Sequence, residues 1–293
     1  MIKKQKNIAM LALLATILLQ LTTPNNLLAN ENSNQDPAIT AAQLNNIAAR
    51  QIKRGEFKKG LSNLNKAISL NKNIVRFYSN RANAYMGLRN YRKAELDFKT
   101  VLLNNSRDTS ALKGLADALY FQGKHNESVK YYKKAIDSNR NCHECYSQIG
   151  SMYGTGGYND YAISHLTKSI EIKPSYSAYL NRGIAYGRAG DARKSLADFR
   201  RAIELNPKGS QAYEGVCSTL GFLGNFEGAI GACNRSIELN NKSASAYMNR
   251  AIVLDNMLRE YDALEDVKMA VKLNPNLESA KLMLSDLKAL LEE

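Results

Sequence analysis

The fold is decided by Tyr179–Pro207, YLNRGIAYGRAGDARKSLADFRRAIELNP. In its first half, Tyr179, Gly183 and Tyr186 are four and three residues apart, so they share one face of a helix. Gly190 then interrupts the pattern, because glycine readily adopts the backbone conformations that turns require. A second apolar stripe follows, and the closing proline ends it because proline cannot continue a helix. The stretch therefore predicts two antiparallel helices joined by a tight turn.

The same hairpin recurs along the chain, and small residues recur in phase with it. Small side chains at two facing positions let the paired helices approach closely. When each copy is numbered from its own first residue, which is residue 41 for the first copy, position 8 holds Ala48, Ala82, Ala116, Gly150, Gly183, Cys217 and Ala251. Position 20 holds Gly60, Ala94, Ser128, Ala162, Ser195, Ala229 and Ala263. One hairpin cannot bury its apolar face alone, so we expect the copies to stack.

This pattern resembles the tetratricopeptide repeat, whose signature has small and aromatic residues at these spacings and a closing proline. The resemblance covers residues 41–277. It implies an all-α fold, an α-solenoid of about seven helix-turn-helix repeats that forms a right-handed superhelix. The predicted repeats are 41–74, 75–108, 109–142, 143–175, 176–209, 210–243 and 244–277.

Three further segments flank the repeats. Residues 1–29 have a lysine-rich start and a short apolar run, which predicts a signal peptide or, alternatively, a membrane anchor through residues 8–21. Either assignment places the repeats outside the cytoplasm, in the periplasm or secreted. Residues 30–40 are polar and predict a flexible linker. Residues 278–293 have leucines at helical spacing and predict a helix that caps repeat seven.

Positive charge is concentrated in the first three repeats. Residues 41–142 hold 20 Lys and Arg against 7 Asp and Glu, whereas residues 143–293 hold 17 against 18. A solvated surface explains this, but so does a basic attachment module that binds anionic lipid or cell-wall polymer through repeats one to three. Nucleic acid is not a predicted partner, because the chain is expected to be exported and lacks a known nucleic-acid motif.

The four cysteines suggest two local pairings. Cys217 and Cys233 occupy facing positions of the repeat-six hairpin, so a disulfide can join them if their Cα atoms approach within about 7 Å. Cys142 and Cys145 form a CxxC, which is compatible with a local disulfide or with reduced thiols. We predict no metal site, because no second CxxC supplies the other ligands that zinc requires.

No motif for catalysis is present in the sequence. It lacks a phosphate-binding glycine loop, a GxSxG nucleophile turn and an HExxH zinc helix. We therefore expect a non-catalytic scaffold or adaptor without a cofactor or a small-molecule substrate.

The resemblance also implies where a protein or extended peptide binds, namely in a concave groove lined by the first helix of each repeat. Three repeats share an Asn-Arg pair, in YSNR, YLNR and YMNR. An amide both donates and accepts hydrogen bonds, so it can hold a peptide main chain; alternatively, this asparagine has a local structural role. The predicted groove residues are Asn80, Asn83, Lys113, Tyr120, Phe121, Gln148, Asn181, Arg188, Phe222 and Asn249. One subclass of this repeat family clamps the terminal carboxylate of chaperone tails with lysine, asparagine and arginine residues at set positions. We do not predict this binding mode, because Asn80 is the only residue of repeats one to three that matches those positions.

Overall fold

The structure is a computed structural model that describes residues 36–292. These residues form fifteen α-helices and no strand, which confirms the predicted all-α class. The predicted signal segment 1–29 lies outside the described residues, and so does most of the predicted linker. In the described part of the chain, each helix is either too short or too polar to span a membrane.

The helices follow one another as antiparallel pairs. They are α1 (Pro37–Lys53), α2 (Phe57–Leu70), α3 (Val75–Gly87), α4 (Tyr91–Asn104), α5 (Thr109–Phe121), α6 (His125–Ser138), α7 (His143–Thr155), α8 (Asn159–Ile172), α9 (Tyr176–Arg188), α10 (Ala192–Leu205), α11 (Ser210–Phe222), α12 (Phe226–Leu239), α13 (Ala244–Asn256), α14 (Glu260–Leu273) and α15 (Glu278–Glu292). Each odd-numbered helix from α3 to α13 begins at the residue where a predicted repeat begins. The chain divides into two compact units at residues 106 and 107, and each is described by itself.

Unit one contains α1 to α4. Helix α1 begins at Pro37 because the Asp36 carboxylate accepts a hydrogen bond from the Ala38 amide at 2.8 Å and proline suits a first helical turn. Residues 37–40 are therefore helical, although the sequence pattern assigns them to the linker. Leu64 and Phe77 are buried in the core of this unit with several alanines.

Unit two contains α5 to α15, and its helix pairs pack closely at the small positions. A Cβ atom added to Gly183 would lie 2.9 Å from the Phe199 ring, and one added to Gly215 would lie 2.5 Å from it. Ser195 is fully buried at position 20, and its hydroxyl donates to the Gly183 carbonyl at 2.8 Å. A buried serine is tolerated there because its hydroxyl has a partner.

The turn inside each hairpin requires a left-handed backbone. Gly190 provides it in repeat five with φ +86°. Repeats two and seven have Arg89 and Leu258 at the equivalent position, both with φ +57°. A residue with a Cβ is disfavoured in this conformation, so these two turns are held in place by the helices on either side.

Helix α15 follows the last repeat and packs against α14. Ala280 and Leu287 are buried on one side of α15, in a cluster with Val267 of α14. Leu282 and Leu290 remain exposed on it. The helix thus covers apolar side chains of repeat seven.

Candidate protein-binding groove

Three repeats share a buried ion pair between their first and second helices. In each repeat, an arginine donates through two nitrogen atoms to both oxygen atoms of an aspartate 16 residues later, at 2.6 to 2.8 Å. The pairs are Arg81–Asp97, Arg182–Asp198 and Arg250–Asp266. The aspartates are 4–6% exposed, so water screens these pairs little.

The arginine of repeat five illustrates how these pairs are supported. The Arg182 guanidinium lies 5.6 and 5.7 Å from the ring centroids of Tyr179 and Tyr186, and it donates to the Thr167 hydroxyl of repeat four at 2.9 Å. The hydrogen bond to Asp198 raises the pKa of Arg182, although burial opposes the shift. The arginine of the shared Asn-Arg pair therefore joins helices within and between repeats.

The asparagines of the same pairs differ between the two units. In unit one, Asn80 donates to the side-chain oxygen of buried Asn45 at 2.7 Å. In unit two, Asn181 and Asn249 are half-buried, and neither side-chain amide has a hydrogen-bond partner among the described residues. Two of the three amides therefore retain their donors and acceptors.

Both of these amides lie in a series of adjoining clefts, which we call the polar groove. A cleft of about 110 Å³ lies between α7 and α9, one of about 360 Å³ between α9 and α11, and one of about 410 Å³ between α11 and α13. Asn181 and Arg188 line the first cleft. Asn249 lines the second and third clefts, and Phe222 lines the third. The first helices of repeats four to seven thus form one continuous lining.

The charged side chains of the polar groove are held by other groups of the chain. Arg188 donates to the Gly154 carbonyl at 2.7 Å, across the first cleft. Glu214 accepts hydrogen bonds from the hydroxyls of Ser243 and Ser245 at 2.8 and 2.6 Å. The polar groove therefore has fixed charges in its walls and free amides between them.

Lys113 belongs to a different charge cluster. Its ammonium group lies 3.4 Å from the Glu144 carboxylate, so this predicted groove lysine already has a partner. Nearby, burial raises the pKa of Asp117, and a hydrogen bond donated by Tyr132 opposes this shift. Burial likewise raises the pKa of Tyr132.

The remaining predicted residues are not among those that line the polar groove. Tyr120 lines a separate cleft at the turns of repeats three and four, and the Phe121 ring lies 5.4 Å from it. Gln148 and Asn83 are exposed, and Asn83 belongs to unit one. The polar groove is thus lined by four of the ten predicted residues, namely Asn181, Arg188, Phe222 and Asn249.

Both cysteine pairs are joined as disulfides. Cys217 of α11 and Cys233 of α12 have Cα atoms 5.2 Å apart, and those of Cys142 and Cys145 are 5.3 Å apart. The first disulfide joins the two helices of repeat six, and the second lies at the start of α7. Within residues 36–292, His, Cys, Asp and Glu side chains form no group of three or more that could hold a metal ion.

The Arg–Asp pairs were not predicted from the sequence, although a signal for them exists. Only the repeats with YxNR also have an aspartate 16 residues after the arginine. The other repeats have an apolar residue where the arginine would stand, namely Ile47, Leu115, Ile149 and Val216. The joint presence or absence of both partners indicates a contact between the two positions.

Comparison with known proteins supports the repeat assignment in the middle of the chain. One tetratricopeptide repeat family model matches residues 79–141, and a second matches residues 143–176 and 176–208. Tetratricopeptide repeat protein 6 from Homo sapiens is 25% identical over 253 residues, which cover 82% of this chain and 48% of that protein. DnaJ homolog subfamily C member 7 from Mus musculus is 28% identical over 110 residues, 37% of this chain and 22% of that protein. The chain spans about half or less of the length of these relatives.

Solved structures show the same fold. The Cut9–Hcn1 hetero-tetramer of the APC/C matches with a TM-score of 0.67 at 17% identity, over 88% of this chain and 50% of that chain. YrrB, described as a TPR protein with an unusual peptide-binding site, matches with a TM-score of 0.54 at 18% identity, over 62% of this chain and 95% of that chain. At such identities the likeness concerns the fold alone.

Proposed function

We propose, on the premise that this chain is built from tetratricopeptide repeats, that it is a non-catalytic scaffold that holds an extended segment of a partner protein in the polar groove. Proteins with these repeats commonly act as interaction scaffolds. The observation that carries the proposal is the pair of half-buried, unpartnered amides of Asn181 and Asn249. Both amides border open clefts, so their donors and acceptors are available to a ligand.

The arrangement of the polar groove suits a main chain better than a particular side chain. Each amide offers a donor and an acceptor, which match the carbonyl and N–H groups of an extended peptide. Between them, repeat six has Gly215 instead of asparagine, and the cleft there is lined by Leu180, Ile184 and Phe199. A peptide held by the two amides can therefore place an apolar side chain in this middle cleft.

A peptide library displayed on phage tests the proposal even though the partner is unidentified. Peptides selected on the purified chain should lose about fivefold to tenfold in affinity with Asn181→Ala or Asn249→Ala, the cost of one hydrogen bond each. Asn241→Ala, at an exposed turn, is the matched control. If both groove variants bind the selected peptides as tightly as the wild type, the groove assignment is wrong.

Export belongs to the same proposal. Residues 1–29 lie outside the described residues, and the support comes from the two disulfides, since these bonds persist mainly in oxidising compartments. Fusion of alkaline phosphatase after residue 40 should give an active enzyme in a bacterial host. An inactive fusion, together with maleimide-reactive cysteines in intact cells, would refute export.

A second candidate function is attachment to an anionic surface. In unit one, residues 41–106 hold 13 Lys and Arg against 3 Asp and Glu, and Lys58, Arg92 and Lys93 are exposed. Charge reversal at these three residues should abolish salt-sensitive flotation with vesicles of phosphatidylglycerol and phosphatidylcholine. Unchanged flotation of the reversed variant, or no flotation of the wild type, would exclude this function.

A further inference from the structure

A second cavity lies at the turns of repeats three and four, and we call it the aromatic cleft. It has a volume of about 420 Å³ and is lined chiefly by Tyr120, His125, Val129, Met152, Tyr153 and Tyr158. These residues come from α5, α6 and α7 and from the turn that follows α7. A volume of this size accommodates a small ligand or one side chain of a partner.

The rings in the aromatic cleft are set at steep angles to each other. Tyr153 and Tyr158 have centroids 6.2 Å apart and ring planes at 84°, and Tyr161 lies 5.3 Å from Tyr153. On the side of repeat three, the rings of Tyr120 and His125 are 5.3 Å apart at 57°. Tyr120 is 39% exposed and Tyr158 is 62% exposed. Rings in several orientations therefore line the cleft, and two of them are substantially exposed.

Several tyrosine rings elsewhere in the described residues lie under cations of the chain itself. Arg182 lies over Tyr179 and Tyr186, and Arg250 lies over Tyr247 at 5.8 Å. Within the described residues, the aromatic cleft differs: no Lys or Arg lies over Tyr120, Tyr153 or Tyr158, and none lines the cavity. This is notable in a chain with a net charge of +13.

Charges of both signs flank the aromatic cleft in sequence, and the exposed Lys124 and Lys130 stand next to His125 and Val129. Glu127 is in the first turn of α6 and Asp160 is in the first turn of α8, and each of these helices begins beside residues of the cleft. Both carboxylates are exposed, and neither forms an ion pair in the part of the chain that the structure describes. Because these flanking charges offset each other, the preference for a cation over an anion comes from the negative faces of the aromatic rings.

We propose that the aromatic cleft binds an organic cation through a quaternary ammonium head group. A cation over an aromatic face is attracted by the ring quadrupole, and several rings around one cation are the usual means of recognising such head groups. A quaternary ammonium has no N–H that needs an acceptor, and it is less strongly hydrated than a lysine ammonium. The polar groups of the cleft are phenol hydroxyls and the side chains of His125, Asn126 and Thr155, and its lining contains no carboxylate to accept from an ammonium N–H, so it suits a cation that needs no such acceptor.

Calorimetric titration of the full chain with choline tests this assignment. The matched ligand is 3,3-dimethylbutan-1-ol, which has the same shape with a neutral carbon in place of the charged nitrogen. Choline should bind about fivefold to thirtyfold more tightly than this alcohol. Equal affinities, no detectable binding of choline, or tighter binding of a neutral sugar such as N-acetylglucosamine would overturn the proposal.

Variants locate the binding in the cleft. Tyr158→Ala should weaken choline binding at least fivefold, whereas Tyr153→Phe, which keeps the ring, should bind as the wild type does. Tyr261→Ala is the control, because Tyr261 is 71% exposed and lies outside the cleft on α14. Asn181→Ala should leave choline binding unchanged, so this test is independent of the polar groove. Unchanged binding by Tyr158→Ala would contradict the assignment.

Discussion

Removal of Asp198 should destabilise repeat five strongly, because it leaves a charged group buried without its partner. In Asp198→Ala, Arg182 loses two hydrogen bonds of 2.7 and 2.8 Å and keeps only the bond to Thr167. The Arg182 side chain is 16% exposed, so water reaches its guanidinium only in part. Movement of the arginine to solvent would in turn uncover the tyrosine rings on either side of it.

The expected loss follows from the burial of the pair. Loss of one partner of a buried ion pair costs about 3–5 kcal/mol. Because Arg182 is partly exposed, we expect the lower end, about 3 kcal/mol. The double variant Arg182→Met, Asp198→Leu should recover most of this loss, since it removes both charges. Repeats three and four already fold with an apolar residue at the arginine position.

Urea unfolding and hydrogen exchange of α9 and α10 measure the effect together, since stability in a repeat chain differs from repeat to repeat. The control is Arg201→Ala, whose pair with Glu204 is 65% and 59% exposed. That change should be within about 0.5 kcal/mol of the wild type. A loss below about 1 kcal/mol in Asp198→Ala, or a double variant as unstable as the single one, would refute the reasoning.

The packing, the pKa shifts and the disulfides give three further predictions. Gly215→Ala should lower the free energy of unfolding by about 1–3 kcal/mol, because the added Cβ would overlap the neighbouring phenylalanine ring. Gly231→Ala should raise the free energy of unfolding by about 0.5–1 kcal/mol in the same urea titration, because a Cβ added there has no atom within 4 Å. Burial raises the pKa of Asp117, so the free energy of unfolding of the wild type should fall as the pH rises from about 4 through the raised pKa. The variant Asp117→Asn should not show this fall. A difference in melting temperature between wild type and variant that stays constant from pH 4 to pH 8 would contradict the prediction. Replacement of both Cys217 and Cys233 by alanine should cost about 3 kcal/mol and speed hydrogen exchange in α11 and α12, and unchanged exchange there would count against a structural role of the bond.

The hairpin architecture was predictable because its cause is local and repeated. Gly183 and Ser195 had to be small wherever two helices meet, and seven copies in register removed the ambiguity that one copy would leave. The pair Cys217–Cys233 was accessible for the same reason, since positions in a hairpin of known register can be placed opposite each other. The polar groove was predictable in part, because Asn181 and Asn249 occupy equivalent positions.

Features that depend on side-chain partners were harder to predict. Asn80 has the same position in its repeat as the free asparagines, yet a hydrogen bond to Asn45 occupies it. Lys113 was expected to be available for a ligand, but its contact with Glu144 of the next repeat depends on the distance between two helices. The aromatic cleft was missed because Tyr158 lies in a turn, outside the helical positions that the repeat pattern describes.

Repeats two, five and seven contain the Arg–Asp ion pair, whereas the other repeats have an apolar residue at the arginine position. This difference limits how the gene can recombine. A crossover within a hairpin could join the first helix of repeat five to the second helix of repeat six, which would bring Arg182 opposite Ala232 instead of Asp198. Such a hybrid would bury a guanidinium without a counterion. Crossovers between hairpins avoid this mismatch, so whole repeats can be duplicated or lost while their two halves stay together.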